Sequence, residues 1–396
     1  MAKHENDTIV RGRKRVNFDL FVTNDYLLKT HLDTDKTLSV EAIDIVNNFL
    51  NKDYPTLPVS SKFIKFNKSN MIQYTDIQIS RATVFKCPYD MEAVLSSDES
   101  CRKHFEKLRW GDEPICPKCG SQSDLHVPHK TRGEYRGYYR CKDCNSPFSV
   151  TVGTIFQNSK IPLRKWFRVI SMICLDSAGT SSYTIHKTLG ITQKTAWFML
   201  SRIREAFGNI NKDFMFDLVT QVDETLIGGR MTNRNVGKRI SGTQGVSLKT
   251  KAAVFGMVDD SGNAYATVVP DRRGTTLKPI IRKHVRPGSI LVSDGHKGYK
   301  GLWWDFMHVE VVHRKGQFKN GQFHTNGVEN LWSNIKPAMR GTYKKVSVKH
   351  LQRYLDEFIY RRNTRMLPVG KKFNLLLLQT NQSLNYKQLT SDVLVA

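Results

Sequence analysis

The chain has 396 residues, which at about 150 residues per domain gives two to three domains. Hydrophobic residues make up 39% and charged residues 24%, a balance that excludes a disordered or fibrous chain. Lys and Arg number 61 against 36 Asp and Glu, and a net charge of +25 points to polyanionic partners.

The surplus is uneven. Residues 1–90 hold 13 basic and 11 acidic side chains, so a net of +23 falls on the rest. No apolar run approaches the roughly 18–20 residues that span a bilayer, and no membrane partner is expected. The opening MAKHENDTIVRGRKRV has no apolar core, so a secretory signal is not expected either. Seven cysteines, four of them in two C-x-x-C pairs, suit a reduced intracellular protein with a metal site better than a disulfide scaffold.

In chain order, residues 1–91 form an N-terminal extension to which the sequence assigns no role. It carries a possible helix over Ser39–Leu50 and β-like runs at Lys62–Phe66 and Met71–Ile79. The run Arg11–Arg15 reads more readily as a solvated charge cluster than as a minor-groove arm. Residues 92–158 hold a helix over Cys101–Arg109 and then the paired cysteines, and residues 159–212 read as helical throughout. From 213 to 370 the pattern turns to strands separated by helices. LVTQVDETLIGG is strand-like, AAVFGMVDD and NAYATVVP flank an Asp260-Ser261-Gly262 turn as a hairpin, and TTLKPIIRKHV suggests a helix. SILVSDGHKGY and HVEVVHR supply two more strands, and residues 326–339 and 348–363 have helical spacing. This order describes an α/β domain with a mixed sheet, followed by a tail over 371–396.

Cys116 and Cys119 are separated from Cys141 and Cys144 by 21 residues. Two C-x-x-C turns place four thiolates around one tetrahedral ion, which is how structural Zn²⁺ is held, and Tyr135, Tyr138 and Tyr139 between them suit a strand of a zinc ribbon. Four sulfurs fill the shell, so the zinc is structural rather than catalytic. Cys87, Cys101 and Cys174 have no partner at ligand spacing and read as ordinary thiols.

Residues 181–204 have the rhythm of a helix-turn-helix. Leu189-Gly190-Ile191 forms the turn and Thr192 caps the second helix. Gln193, Lys194 and Thr195 at its start are placed to reach base edges and phosphates, with Arg202 and Arg204 as further DNA contacts, while Ala196, Phe198, Met199 and Ile203 pack inward. A helical hairpin serving only as a spacer has the same pattern.

Three acids stand out by context. Asp223 interrupts an apolar strand-like run, where an acid is costly to bury unless it binds a cation. Asp294 ends Ile290-Leu-Val-Ser-Asp, and Glu329 lies where a loop enters a helix. Three convergent carboxylates without a nucleophilic side chain suit phosphoryl transfer on two Mg²⁺ or Mn²⁺ ions. Glu224 is the rival of Asp223, on the opposite face of the strand. Lys336, two helical turns after Glu329, is placed to meet a DNA phosphate. Basic segments at Arg230–Lys251, Arg272-Arg273, Lys344-Lys345 and Arg361-Arg362 surround the acids, as a groove for a phosphate backbone requires.

These segments resemble the bacterial insertion-sequence transposases that join an N-terminal zinc ribbon to a DDE catalytic core, the relatives of the eukaryotic Merlin transposons. The resemblance covers residues 92 to about 370 and rests on CPKCGS, FSVTVGTIF, KTAWFMLSRIREA, VDETLIGGR, SDGHKGYKGL and HTNGVENLWSNIKPAMRGTYKKVS. It implies a multidomain α+β protein: zinc ribbon, helical helix-turn-helix domain and ribonuclease-H-like α/β core. It further implies Mg²⁺-dependent catalysis by Asp223, Asp294 and Glu329 with Lys336 behind them, and Asn326 in a supporting role through the N-x-x-E context. Double-stranded DNA, as terminal inverted repeats and target, is the implied partner of a homodimer or higher multimer at the bacterial nucleoid. A domesticated, non-catalytic sequence-specific DNA-binding protein is the alternative, and a general ribonuclease-H-like nuclease a third reading.

Overall fold

The computed structural model describes Ile9–Val10, Arg13–Lys14 and residues 76–391, except 125, 132–133, 212–213, 229–236, 238–246, 313–318 and 345. The expected helix at Ser39–Leu50 and the strand at Lys62–Phe66 lie outside the described residues. The expected run Met71–Ile79 ends not as a strand but as a helical turn, α1 (Asp76–Ile79), whose Ile79 is fully buried.

Helices α2 (Pro88–Val94) and α3 (Asp98–Trp110) follow. The expected Cys101–Arg109 helix is longer because Ser97 and Ser100 form a capping box, each side chain accepting from the other's backbone N–H. Next come strands β1 (Val127–Thr131), β2 (Glu134–Arg140) and β3 (Pro147–Phe148), in a three-stranded antiparallel sheet. Trp110 of α3 packs edge-on against Tyr139 and Phe148 of that sheet, and Arg109 donates to the carbonyls of Val150 and Val152. Helices α4 (Leu163–Leu175), α5 (Ser182–Leu189) and α6 (Gln193–Asn211) complete this half. Gly190 ends α5 at φ +60, a conformation that costs glycine nothing and other residues about 1 kcal/mol or more.

The C-terminal stretch is not a tail. Helix α10 (Val369–Leu378) buries Phe373 and Leu375–Leu378 in one apolar core with residues of α3, α4 and α6. Asn374, fully buried, bonds the His104 ring and the carbonyls of Ile79 and Thr83. Helix α11 (Tyr386–Thr390) then returns along α6. The run Phe373–Leu378 carries five apolar residues in six, which no solvated tail needs; only the fold says which core it enters.

The second half is a five-stranded mixed sheet. Its strands are β4 (Val219–Ile227), β5 (Ala252–Asp259), β6 (Ala264–Val269), β7 (Ile290–Asp294) and β8 (Met307–Val311), in the order β8-β7-β4-β5-β6. The first three strands run antiparallel as a meander, while β7 and β8 run parallel to β4. Helix α7 (Gly274–His284) covers one face with Leu277 and Ile281 against Val222, Phe255 and Leu291. Helices α8 (Asn326–Gly341) and α9 (Val348–Asn363) cover the other with Val328, Leu331, Trp332 and Leu355 against Val254 and Ala266.

A buried charge cluster joins the two halves. Arg204 on α6, 1% exposed, donates to Glu357 on α9 at 2.6 Å and stacks 3.9 Å over the Tyr354 ring. Glu357 also accepts from Tyr343 at 2.9 Å and from Arg361. Burial alone would raise the Glu357 carboxyl, but the Arg204 and Arg361 guanidiniums override it and hold it below the usual range. Removing one partner strands a buried charge, so Arg204→Ala is expected to cost about 3–5 kcal/mol in denaturant unfolding. The folded pKa being the lower one, the cluster's stabilisation persists at neutral pH and is lost as pH falls below about 4, measurable by acid titration of the melting temperature.

Candidate functional site

The four predicted zinc ligands meet. Cys116, Cys119, Cys141 and Cys144 bring their sulfurs within 4.8 Å of one another, with Cys116–Cys144 at 3.7 Å and Cys119–Cys141 at 3.5 Å. Zn–S bonds of about 2.3 Å in a tetrahedron place sulfurs about 3.8 Å apart, so the donor set fits Zn²⁺. The two knuckles are built alike. Gly120 N–H bonds the Cys116 carbonyl and Asn145 N–H that of Cys141, both residues at positive φ, and Gly and Asn are the types that tolerate it. Hydrogen bonds from Ser146 pull the Cys144 thiol down to about 6, towards the thiolate a metal needs. His126, which its spacing did not single out, braces the pair: it accepts from Lys142 N–H and its other ring nitrogen bonds the Ser121 carbonyl.

The carboxylates lie at the far sheet. Val222 pairs with Ser293, so Asp223 of β4 and Asp294, the last residue of β7, follow side by side on parallel strands. Trp332 of α8 donates from its indole nitrogen to Asp223 Oδ2 at 2.9 Å. It can do so because Asp223 pairs across the sheet with Gly256, where a Cβ would lie 2.5 Å from the indole. Gln221 fixes the start of α8 by accepting from the Gly327 and Val328 backbone N–H groups. Lys336 lies close enough to Asp223 to feel its charge, with Arg340 and Lys251 nearby. Trp332, Gln221 and Gly256 escaped the sequence reading; the one signal available was that Trp332 is three residues, one helical turn, after Glu329.

Glu329 is placed differently. It is exposed on the first turns of α8 and accepts from the Thr325 hydroxyl at 2.8 Å, and Asn326 is exposed at the helix start. Asp223 and Asp294 are neighbours in strand register, and among the described residues the four cysteines are the one group of three or more ligand side chains gathered within 4.8 Å. Burial, with Glu224 and Asp294 as neighbours, pushes the Asp223 carboxyl up to about 7. Glu224, on the opposite face as alternation required, is pushed to about 7 by burial and Asp294, against the Tyr299 hydroxyl and Arg272, which pull it down. Carboxyls crowded and buried in this way fit a divalent cation at this edge, which would take the place of their protons.

The expected DNA-reading residues divide. Gln193 and Lys194 are exposed at the start of α6 and Thr195 is half-buried. Each has an internal partner: Gln193 donates to the Ser182 hydroxyl, Lys194 lies 5.0 Å from the Tyr386 ring centre, and Thr195 bonds Thr192. Arg202 and Arg204 are corrections. Arg202 is 8% exposed and donates to the carbonyls of Leu384, Ile155 and Gln157, while Arg204 is spent on Glu357. With 19 residues, α6 is about 28 Å long; its first turns project and the rest is core. Among the described residues no helix is long and apolar enough to cross a membrane.

Because the four sulfurs close one shell, Cys119→Ser is expected to lose bound zinc and unfold the β1–β3 sheet, read by metal content and by proteolysis between residues 112 and 150. Unchanged zinc stoichiometry would contradict it.

The comparisons with known proteins agree with this layout. Residues 218–363 match the ISXO2-like transposase domain and residues 96–146 the transposase zinc-ribbon domain. The chain is 26% identical over 286 residues, 69% of its length, to an uncharacterized protein in transposable element ISH50 of Halobacterium salinarum, covering 93% of that protein. It is 32% identical over 100 residues, 25% of its length, to an uncharacterized transposase-like protein of Haemophilus influenzae, covering 80% of it. No solved structure matches. The chain therefore belongs to the insertion-sequence transposases that carry a zinc ribbon ahead of an ISXO2-like transposase domain.

Proposed function

We propose that the protein is a DNA transposase that binds the terminal inverted repeats of its element, hydrolyses the DNA ends and joins the freed 3′-hydroxyl to target DNA. The observation that carries this reading is the placement of Asp223 and Asp294 side by side on adjacent parallel strands. The strand order β8-β7-β4-β5-β6, three antiparallel strands and then two parallel to the first, supports a ribonuclease-H-like core over 213–370. The Gly190 turn between α5 and α6 supports a helix-turn-helix within 159–212, and the four thiols a zinc ribbon within 92–158.

In this reading Asp223, Asp294 and Glu329 hold Mg²⁺ or Mn²⁺, with Asn326 in support. Such ions, when bound, activate a water or 3′-hydroxyl and stabilise the leaving oxygen. Glu329 sits one turn before Trp332, and side chains so spaced on a helix are about 5–6 Å apart at Cβ. Trp332 orients Asp223 through its indole hydrogen bond, and Lys336, with Arg340 and Lys251, draws in the phosphate backbone. Double-stranded DNA is the partner, and pairing two ends calls for a homodimer or larger assembly at the nucleoid. The exposure of Glu329 favours a second reading, a non-catalytic sequence-specific DNA-binding protein.

Asp223→Asn separates the two. On end DNA it is expected to abolish cleavage and strand transfer while binding in gel-shift titrations stays near wild type; normal joining by the variant would exclude the site. Lys194→Ala is expected to weaken binding to all duplex sequences alike and to lower the salt slope of the binding constant by about one. A loss confined to one base position would mean that Lys194 reads sequence instead.

A further inference from the structure

We propose that Trp303 and Trp304 form a stacking platform for unpaired bases of DNA, with Lys278, Lys297 and Lys300 beside it to take the phosphates. The inference rests on the reading of the protein as a DNA transposase and adds to it a surface that takes single-stranded rather than duplex DNA.

Three observations support it. The first is exposure. Trp303 and Trp304 are 47% and 37% exposed, whereas Leu302 and Phe306 on either side of them are buried. An indole buries roughly 150–250 Å² when it serves a core, so two adjacent ones left partly in water are poorly explained by packing.

The second observation is rigidity. The two indoles ride on a 3₁₀ turn, Leu302–Trp304, closed by the N–H groups of Asp305 and Phe306, which both donate to the Leu302 carbonyl at 3.0 Å. Gly288 N–H bonds the Asp305 carbonyl at 2.9 Å, and Arg282 of α7 donates to the Asp305 carboxylate at 2.8 Å. One helical turn earlier on α7, Lys278 brings its Nζ to 3.4 Å from where a Cβ on Gly301 would lie. Helix α7 therefore lies against both ends of the indole turn, which leaves little ordering for a ligand to bring about.

The third is charge and its layout. Residues 272–304 hold eight Lys and Arg and one acid, Asp294. Arg282 and Arg286 are paired with Asp305 and Asp217, while Lys297 and Lys300 are exposed and, among the described residues, form no ion pair. The segment returns from Asp294, at the end of β7, to Met307, which pairs with Ile290 at its start. Lys297 and Lys300 thus lie along a path of roughly 15 Å from the acids to the indoles, the length of a five-residue strand. Aromatic faces set among unpaired cations hold single strands, because each base offers a π-face and each phosphate a charge. A duplex presents base edges and backbone, and keeps its base faces stacked inside. A protein partner fits poorly, since Lys is depleted at such interfaces.

The test uses the full chain with its cysteine centre loaded with zinc. The probes are a labelled oligothymidine of about ten nucleotides and a labelled duplex, both read by fluorescence anisotropy. Trp303→Ala and Trp304→Ala are each expected to weaken oligothymidine binding about tenfold and to leave duplex affinity within about twofold of wild type, and the Phe variants to recover most of the loss. Lys300→Ala is expected to lower the salt slope for the single strand by about 0.7. Wild-type oligothymidine affinity in the double alanine variant overturns the platform. So does an equal loss for both probes, or a change of oligomeric mass in sedimentation, which makes the indoles a contact between copies. Should the alanine variants not fold, acrylamide quenching of the wild-type chain, which reads chiefly exposed indoles, decides: protection by oligothymidine supports the platform and unchanged quenching overturns it. A chain that binds oligothymidine through these indoles but neither cleaves nor joins end DNA overturns the transposase reading and leaves the platform standing.

Discussion

The hydrogen bond from Trp332 to Asp223 ties the C-terminal half together. Asp223 lies in the central strand of the sheet, where a carboxylate is expensive to bury, and the indole nitrogen is the donor that makes it tolerable. The bond exists because Gly256 has no side chain where the indole crosses the sheet. It helps to seat α8, on which helical spacing puts Glu329, Trp332 and Lys336 along one face. The same feature explains why the edge is electrostatically unstable alone. Trp332 serves Asp223, and Asp294 is near enough to raise the carboxyls of both Asp223 and Glu224.

The second organising feature is helix α6, whose two ends do different work. Its first turn projects with Gln193 and Lys194 exposed, while its remainder is locked by Arg202 to the C-terminal segment and by Arg204 to α9. Tyr343, which follows α8, bonds the same Glu357, and its hydroxyl lies where a Cβ on Gly179 would fall, in the loop before α5. Helix α6 is thus packed on α9, and the loop before α5 on the end of α8.

Much of this was legible in the residues. The C-x-x-C spacing named four ligands that do meet, because a knuckle is a local turn whose geometry its own few residues dictate. The 326–339 and 348–363 helices and the Asp-Ser-Gly hairpin were equally local and appear within about two residues of expectation. The readings that failed were of another kind. Arg202 and Arg204 look, in a basic helix, like DNA contacts, and nothing within a few residues reveals that Glu357 and the Leu384 carbonyl lie 153 and 182 positions away.

The chain by itself determined which segments are helices, strands and knuckles, and on which face of β4 Asp223 and Glu224 fall, since backbone geometry and a period of two set these through near neighbours. Tertiary structure alone decided that α10 completes the first core, that Trp332 reaches Asp223, and that Asp294 stands beside two acids rather than one. Those outcomes depend on contacts between residues tens to hundreds of positions apart, whose partners are chosen by packing and by the need to satisfy buried charge.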